Sequence, residues 1–308
     1  MCVRRQLELQ AGNHGFLTKS RKQADFLTYF KKVAEKRHTS ISTTNTWNSS
    51  YQYLFDYCGG QCSFECVTQG FVENFKAHLM TCHTRRSTKT TLSPNSASTY
   101  FTCFLAVIKE AVKDKLFPED PAAKVKNIPT VEANREFLTI EELHRLAQTR
   151  SDMPDTLRRA ALLSALTGMR FSDIKGLKWE DVHFSQETGY YLRFKIKKTG
   201  ENLTLPISDE AHELLGEHAQ PNSQIFHNLD YGSMTSVFIA RWALAAGITK
   251  TITFHCLRHT FATAQLTLGT DLYTVSKMLG HKSVSKTQIY ARIIDEKKRE
   301  AANKISLK

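Results

Sequence analysis

Apolar residues recur at spacings of three and four through the first part of the chain, a period that predicts helices. In DFLTYFKKVAE, residues 25–35, this spacing places Phe26, Tyr29, Phe30 and Val33 on one helical face. The same period predicts three more helices, in TTNTWNSSYQYLFDYC, FVENFKAHLMTC and SPNSASTYFTCFLAVIKEAVKDKLF, the last ending before Pro118. These helices, joined by basic and Ser/Thr-rich segments, indicate a small helical domain.

A break in this pattern divides the chain. The segment PAAKVKNIPTVEANR, residues 121–135, has two prolines and little apolar periodicity, so it is predicted to be an extended linker. We therefore expect an N-terminal arm or remnant over residues 1–20, a helical domain over 21–120, this linker, and a second domain over 136–308.

The second domain is predicted to open with a capped helix. In LTIEEL, Thr139 and Glu142 have the spacing of a capping box. Further on, LRRAALLSALTGMRFSDIKGL reads as an apolar helix, a break at Gly168 and another helix. Two later segments, SDEAHELLGEH and SMTSVFIARWALAAG, also have helical spacing. Helices therefore dominate this domain too.

Between residues 190 and 207 the apolar period changes from helical spacing to two, which is typical of β-strands. A TGEN turn separates the two alternating runs, so the segment is predicted to form a β-hairpin with Lys198 at its tip. The alternating residues are Leu192, Phe194, Ile196, Leu203, Leu205 and Ile207. The predicted fold class is thus mostly α with a small β-hairpin or sheet.

The last part of the chain is predicted to be helical again. Asp271 can cap DLYTVSKML, and Gly280 suits a helix C-terminus, which would leave His281 just outside that helix. The segment SVSKTQIYARI is then predicted to form another helix that carries Tyr290.

Charge and composition narrow the possible functions. Lys and Arg number 42 against 30 Asp and Glu, a net charge of +12 that favours an acidic partner, most commonly nucleic acid. No apolar run approaches the roughly 20 residues of a membrane span. The start MCVRRQLELQ lacks a secretory apolar segment, so we expect a cytoplasmic protein without a membrane partner.

The seven cysteines do not form a recognisable metal motif. Cys58, Cys62 and Cys66 make a loose triplet in CGGQCSFEC, and Cys82 is followed by His83. Zinc sites usually show a pair at short spacing with a matching second pair. We therefore expect reduced thiols and no metal site here.

Cationic side chains from three distant segments are candidates for one common site. Taken singly, each has an ordinary explanation, such as a surface arginine, a turn lysine or a core tyrosine. Together, such donors suit one task, which is to hold a phosphate while negative charge builds on it. They also favour deprotonation of a tyrosine, whose pKa near 10 otherwise makes it a poor nucleophile at neutral pH. The candidates are Arg170, Lys198, His255, Arg258 and His281 around Tyr290.

This combination predicts that the tyrosine attacks a phosphodiester and that a lysine protonates the leaving 5′-oxygen. No metal or other cofactor is expected, because cationic side chains would neutralise the phosphate. A rival interpretation is a zinc-binding pair at i and i+4, His255 and His259. That pair lacks the glutamate of H-E-x-x-H and an evident third ligand.

At this point the residues resemble a known family, the tyrosine recombinases, also called the phage-integrase or lambda-integrase family. The motifs that carry the resemblance are TGMRFSDIKGLKW, IKKTGEN, HCLRHTFAT and LGHKSVSKTQIYAR. They resemble in particular the integrases of Bacteroides-type mobile elements. The resemblance is strong over about residues 135–295 and looser over about 20–125.

The resemblance implies a fold and an activity. Residues 21–120 would be a SAM-like core-binding domain and residues 136–308 the catalytic domain, the two forming a C-shaped clamp around double-stranded DNA. The enzyme would cleave and rejoin DNA strands through a 3′-phosphotyrosine, without metal or ATP, to integrate or excise a mobile element.

The resemblance also implies a role for each residue. Arg170 and Arg258 would grip the scissile phosphate, with His281 as a further donor. His255 would be a proton acceptor or phosphate ligand. Tyr290 would be the nucleophile. Two further roles complete the set: Lys198, with Lys197 as the alternative, as general acid, and Asp173 as a supporting carboxylate.

Assembly and regulation follow from the resemblance as expectations. The tail RIIDEKKREAANKISLK would pass to a neighbouring protomer in a homotetramer on DNA, and accessory DNA-bending or excision factors are possible partners. Two alternatives stay open. One is a Xer-like recombinase that resolves DNA dimers, which the short N-terminal arm favours. The other is a truncated integrase that binds DNA without cutting it.

Overall fold

The computed structural model describes residues 24–37, 40–131 and 135–290. The chain divides into two compact units between positions 133 and 134. Each unit has its own apolar core. The N-terminal arm expected over residues 1–20 and the tail from residue 291 on lie outside the described residues.

The first unit is mainly helical, as its apolar period predicts. Its helices begin at polar residues whose side chains accept backbone hydrogen bonds, namely Asp25, Ser40, Thr68 and Ser93. These caps satisfy N–H groups that the first turn of a helix leaves without partners. The helices are α1 (Phe26–Glu35), α2 (Ile41–Tyr57), α3 (Gln69–Thr81) and α4 (Pro94–Lys113).

An aromatic cluster forms the core of this unit. The ring centroids of Phe26 and Phe104 lie 6.0 Å apart in an edge-to-face arrangement, and those of Phe75 and Phe104 lie 4.9 Å apart. Ile128, from the segment expected to be a linker, is 3% exposed and belongs to the same core. Ser98 Oγ also donates a 2.7 Å hydrogen bond to the carbonyl of Ile128. This part of the segment therefore packs as part of the first unit.

A two-stranded antiparallel ladder follows α3 and was not predicted. It pairs β1 (His83–Thr84) with β2 (Ser87–Thr91). Most of the β2 side chains are exposed and polar, so the segment shows no apolar alternation that could reveal a strand.

The second unit also consists mainly of helices. Its first helix has the predicted capping box, in which Thr139 Oγ1 accepts from Glu142 N and the Glu142 carboxylate accepts from Thr139 N. The helices are α5 (Ile140–Gln148), α6 (Asp155–Thr167), α7 (Phe171–Gly176), α8 (Asp209–Glu213), α9 (Ser233–Ala245), α10 (Phe254–Thr267) and α11 (Leu272–Met278).

The predicted hairpin is present as part of a three-stranded antiparallel sheet. Strands β4 (Gly189–Lys195) and β5 (Asn202–Pro206) pair with Leu192 opposite Leu205 and Phe194 opposite Leu203. Strand β3 (Val182–Ser185), which was not predicted, adds to the free edge of β4. It has four residues, and its Phe184 is 61% exposed, so its pattern is too short and irregular to identify.

Gly168 joins α6 to the segment before α7 in a left-handed conformation, with φ of 70°. A Cβ at this position would lie 2.5 Å from Phe261 Cδ1 and 2.7 Å from Leu279 Cδ2. Glycine is therefore required twice, for its backbone angle and for the closeness of α10. Through this contact the α6 terminus is held against two elements of the C-terminal part.

The end of the described chain differs from the prediction. Asp271 caps α11 as expected, and Gly280 has a φ of 60°. However, the helix predicted for SVSKTQIYARI is wrong over its described part, where two 3₁₀ turns occur, Val284–Lys286 and Gln288–Tyr290. None of the helices in the described part of the chain is both long and apolar enough to cross a membrane.

Candidate active site

Arg258 is the most deeply embedded cation of the site. It is on α10 and is 4% exposed. Its Nη1 donates to the carbonyl of Gly168 at 2.6 Å, and its Nη2 donates to the carbonyl of Leu279 at 2.7 Å. Two backbone carbonyls from other elements therefore hold the guanidinium plane. A donor held in this way needs no reorganisation when an anion arrives.

Arg170 lies at the N-cap of α7, directly after the Gly168 turn. Burial, and then the charge of Arg170, lower the pKa of Arg258 to about 9, so Arg258 remains protonated at neutral pH. Two like charges held close together are unfavourable until an anion joins them. Such a pair is chemically suited to hold an anion such as phosphate.

Asp173 connects Arg170 to the β4–β5 hairpin. Its side chain is buried, and Oδ2 lies 3.7 Å from Arg170 Nη1 while Oδ1 accepts from Lys197 N at 3.0 Å. This contact involves the backbone of Lys197 and not its side chain. It therefore does not distinguish Lys197 from Lys198 as the general acid. Burial and then Arg258 lower the pKa of His255 most, and the charge of Lys198 lowers it least among the causes, so Lys198 acts electrostatically on this histidine.

His281 links Arg258 to the turn that precedes the tyrosine. Its Nε2 lies 3.1 Å from Arg258 Nη2, and its Nδ1 lies 2.9 Å from Thr287 Oγ1. Since an arginine N–H can only donate, Nε2 accepts and Nδ1 carries the ring proton. Burial, and then the charge of Arg258, lower the pKa of His281 to about 4, consistent with a neutral ring.

Tyr290 is in the 3₁₀ turn Gln288–Tyr290 and is 6% exposed. Its Oη lies 2.5 Å from His259 Nδ1. Burial raises the pKa of Tyr290, while the charges of Arg258 and Arg135 lower it. The hydroxyl is therefore buried beside cations, but burial outweighs their charges, so its pKa is raised and not lowered as the sequence led us to expect.

His255 precedes Arg258 by one turn of α10 and is more exposed than Arg258. Its ring meets that of His259 edge to face, with 4.6 Å between the centroids. Burial lowers the pKa of His255, as do the charges of Arg258 and then Arg135. The predicted site residues therefore share one electrostatic environment in the second unit.

Three residues of this environment were missed as functional candidates. The sequence suggests His259 only as half of a zinc pair, and its spacing from His255 is the one available signal. The sequence places Arg135 in the linker, yet its charge acts on His255, His259, His281 and Tyr290. Thr287, fully buried, orients His281 and carried no signal in the sequence.

The sequence matches two family profiles. The profile described as the Phage integrase family matches residues 136–297. The profile described as the Phage integrase SAM-like domain matches residues 25–127. Together they cover both structural units.

Curated relatives with similar sequences are tyrosine recombinases. XerD of Listeria innocua serovar 6a is 28% identical over 215 residues, which are 65% of this chain and 72% of the relative. XerC of Pediococcus pentosaceus is 30% identical over 213 residues, which are 63% of this chain and 69% of the relative.

Solved structures share the fold at lower identity. A lambda integrase dimer bound to a COC′ core site has a TM-score of 0.67 and 20% identity, covering 88% of this chain and 78% of that chain. XerH bound to palindromic difH has a TM-score of 0.68 and 21% identity, covering 90% and 84%. The Tn1549 transposon integrase with transposon right end DNA has a TM-score of 0.63 and 17% identity, covering 87% and 94%.

These comparisons confirm the predicted fold class, mostly α with a small antiparallel sheet, and the predicted resemblance. The roles given to individual residues remain predictions at this point. The chain belongs to the phage integrase family, and it is a tyrosine recombinase, an enzyme of site-specific DNA recombination.

Proposed function

We propose that the protein cleaves and rejoins double-stranded DNA at specific attachment sites through a covalent link to Tyr290, in order to integrate or excise a mobile element. One observation carries this proposal. Arg258 and His259 are consecutive residues of α10, and the first contacts His281 while the second contacts the tyrosine hydroxyl. One helical turn thus joins the anion-binding groups to the nucleophile.

In the proposed first step, Arg258 and Arg170 bind the non-bridging oxygens of the scissile phosphate. Arginine suits this task because its planar guanidinium matches two phosphate oxygens and stays charged. The anion would compete with His281 Nε2 for the N–H of Arg258 Nη2. For His281 to donate to phosphate, Nε2 must gain a proton, and the negative charge of the phosphate favours that gain.

In the proposed second step, the Tyr290 hydroxyl gives its proton to a base, Oη bonds to phosphorus, and the bond from phosphorus to the 5′-oxygen breaks. The products are a 3′-phosphotyrosyl link and a free 5′-hydroxyl, whose proton comes from Lys198. Asp173 holds the backbone beside Lys198 and so sets the position of the general acid. Attack by the 5′-hydroxyl of another strand reverses the step and restores the tyrosine.

No ATP is needed in this scheme, because the phosphotyrosyl link preserves the energy of the broken phosphodiester. The charge that builds on phosphorus is met by cationic side chains of this chain. The described part of the site has one carboxylate at its centre, Asp173, and that group already accepts from Lys197 N and faces Arg170.

The partners are proposed from the relatives. The solved lambda integrase structures include a dimer bound to a core site and a tetramer bound to a Holliday junction. We propose that this chain likewise assembles as a homotetramer on double-stranded DNA, with exchange of the tail from residue 291 on. Accessory factors, a cytoplasmic location and the finer likeness to Bacteroides-type integrases stay predictions.

A second candidate is a Xer-like recombinase that resolves DNA dimers. It is favoured by the relatives at 28% and 30% identity, which are named XerD and XerC. The fold does not separate the two candidates, since XerH and a transposon integrase are both similar to it. The mobile-element proposal comes from the resemblance of the sequence motifs. The cleavage chemistry is the same in both, so the cleaved sequence distinguishes them: element ends in one case, a chromosomal or plasmid dimer site in the other.

The test is covalent capture in EDTA. Wild-type protein is incubated with a pool of nicked duplexes that have a randomised centre, and the DNA in protein–DNA adducts is sequenced. We expect adducts with wild type and none with Tyr290→Phe. Tyr273→Phe is the matched control, since Tyr273 is a 58% exposed tyrosine of the same unit and should leave capture unchanged.

Two results would contradict the proposal. Adducts with Tyr290→Phe would mean that another residue is the nucleophile. Tight DNA binding without any adduct would favour the truncated, DNA-binding interpretation.

A further inference from the structure

His259 is a buried histidine that the predicted chemistry does not use. It follows Arg258 on α10 and is 5% exposed. Its Nδ1 lies 2.5 Å from Tyr290 Oη, although the two residues are 31 positions apart in the chain. The contact is therefore made by the tertiary structure and involves the atom that attacks phosphorus.

The protonation states of the pair follow from their surroundings. Burial, and then the charges of His255, Arg135, Arg258 and His281, lower the pKa of His259 to about 3, so the ring is neutral at pH 7. Burial raises the pKa of Tyr290, so the phenol keeps its proton. The phenol O–H therefore donates to His259 Nδ1, and the ring proton of His259 lies on Nε2.

The other histidines of the site are less well placed to take the phenol proton. Both nitrogens of His281 are engaged, one by Arg258 and one by Thr287. The ring of His255 packs against the ring of His259. Among the described residues, the Tyr290 hydroxyl is hydrogen-bonded to His259 and not to His255.

We propose that His259 is the general base for Tyr290, a role that rests on the proposed phosphotyrosine chemistry. As Tyr290 Oη bonds to phosphorus, its proton passes to His259 Nδ1 and the ring becomes an imidazolium. The 5′-oxygen leaves with the proton of Lys198. When the strand is rejoined, His259 returns its proton to the phenol, and no oxidant, reductant or further reactant is needed.

DNA makes this transfer easier than it is in the free protein. Positive charge on four neighbouring side chains disfavours an imidazolium at His259. Two of these residues are on α10, one precedes α5 and one follows α11: His255 and Arg258, Arg135, and His281, respectively. A bound phosphate offsets these charges, so the pKa of His259 rises towards its ordinary value. The neutral ring is then both available and basic enough to accept a proton.

The first experiment uses the duplex selected by covalent capture and the variant His259→Asn. An asparagine oxygen can accept the phenol hydrogen bond in place of Nδ1, but it cannot take the proton. We expect a loss in the cleavage rate on the order of 10²-fold, with DNA binding unchanged. His144→Asn is the control, because His144 is exposed on α5 of the same unit. This variant should cleave DNA at the wild-type rate.

A second substrate separates the base from the acid. In this duplex sulfur replaces the scissile 5′-oxygen, so the leaving group needs no proton. We expect Lys198→Ala to recover cleavage on the sulfur duplex, whereas His259→Asn stays slow on both. Cleavage by His259→Asn at the wild-type rate would overturn the proposal. Faster cleavage would also overturn it, since His259 would then restrain the nucleophile.

A third measurement needs no variant and therefore does not depend on how His259→Asn folds. With the sulfur duplex, the wild-type rate should be constant from pH 7 to pH 9, since His259 is neutral throughout. A rate that rises about tenfold per pH unit would mean that hydroxide removes the phenol proton, and the proposal would be wrong. Absence of any adduct with wild type would instead refute the phosphotyrosine chemistry, and the role of His259 with it.

Discussion

Gly168→Ala should damage both the stability of the second unit and the position of its central arginine. The new Cβ would lie 2.5 Å from Phe261 Cδ1 and 2.7 Å from Leu279 Cδ2, distances that require one side chain or the backbone to move. Such overpacking costs about 1 to 3 kcal/mol. The left-handed backbone angle of 70° adds roughly 1 to 2 kcal/mol for a residue with a Cβ.

The expected loss in the free energy of unfolding is therefore about 2 to 5 kcal/mol, a large share of the roughly 5 to 15 kcal/mol of a typical domain. Gly247→Ala is the matched control. Gly247 also follows a helix with a φ of 70°, but a Cβ there would meet nothing within 4 Å. That variant should lose about 1 to 2 kcal/mol from the backbone angle alone.

The assays are urea unfolding and covalent DNA cleavage. Because the Gly168 carbonyl accepts from Arg258 Nη1, a shift of this turn moves the guanidinium. A displacement near 1 Å can cost on the order of 10²-fold in rate, so Gly168→Ala should cleave slowly even where it is folded. Gly247→Ala should cleave as wild type does. Equal losses of stability in the two variants would refute the steric part of this reasoning, and normal cleavage by Gly168→Ala would refute the link to Arg258.

Two further predictions follow from the same contacts. Arg258→Lys should reduce the cleavage rate on the order of 10²-fold while DNA binding changes little. The reason is that an ammonium group cannot reach both backbone carbonyls and the phosphate. A normal single-turnover rate would contradict this prediction. The second concerns pH: the pKa of His281 is about 4 in the folded protein, below its ordinary value of about 6.5. The unfolded chain therefore binds more protons between these values, and stability should fall as pH drops from 6.5 to 4. Urea unfolding at several pH values tests this, and His281→Asn should fall less steeply than wild type; an identical slope would contradict the assignment.

Local elements were predicted well where a few neighbouring residues determine them. The capping box of Thr139 and Glu142 and the cap of Asp271 depend on side chains within three residues of the backbone they bind. The β4–β5 hairpin follows from alternation on both sides of one turn. Prediction failed for β1, β2 and β3, whose few residues carry no clear period, and for the residues before Tyr290, where helical spacing produced 3₁₀ turns instead.

The candidate site likewise has features that could be predicted from the sequence and features that could not. The sequence by itself determined which residue types are present and which segments carry them: two arginines, a hairpin lysine, histidines and a tyrosine in recognisable motifs. Only the tertiary structure decided how they are connected. Arg258 reaches Gly168 across 90 positions, and Tyr290 reaches His259 rather than one of the predicted catalytic residues. Such contacts depend on how α6, α10 and the last turns pack, and packing of distant elements leaves no periodic pattern along the chain.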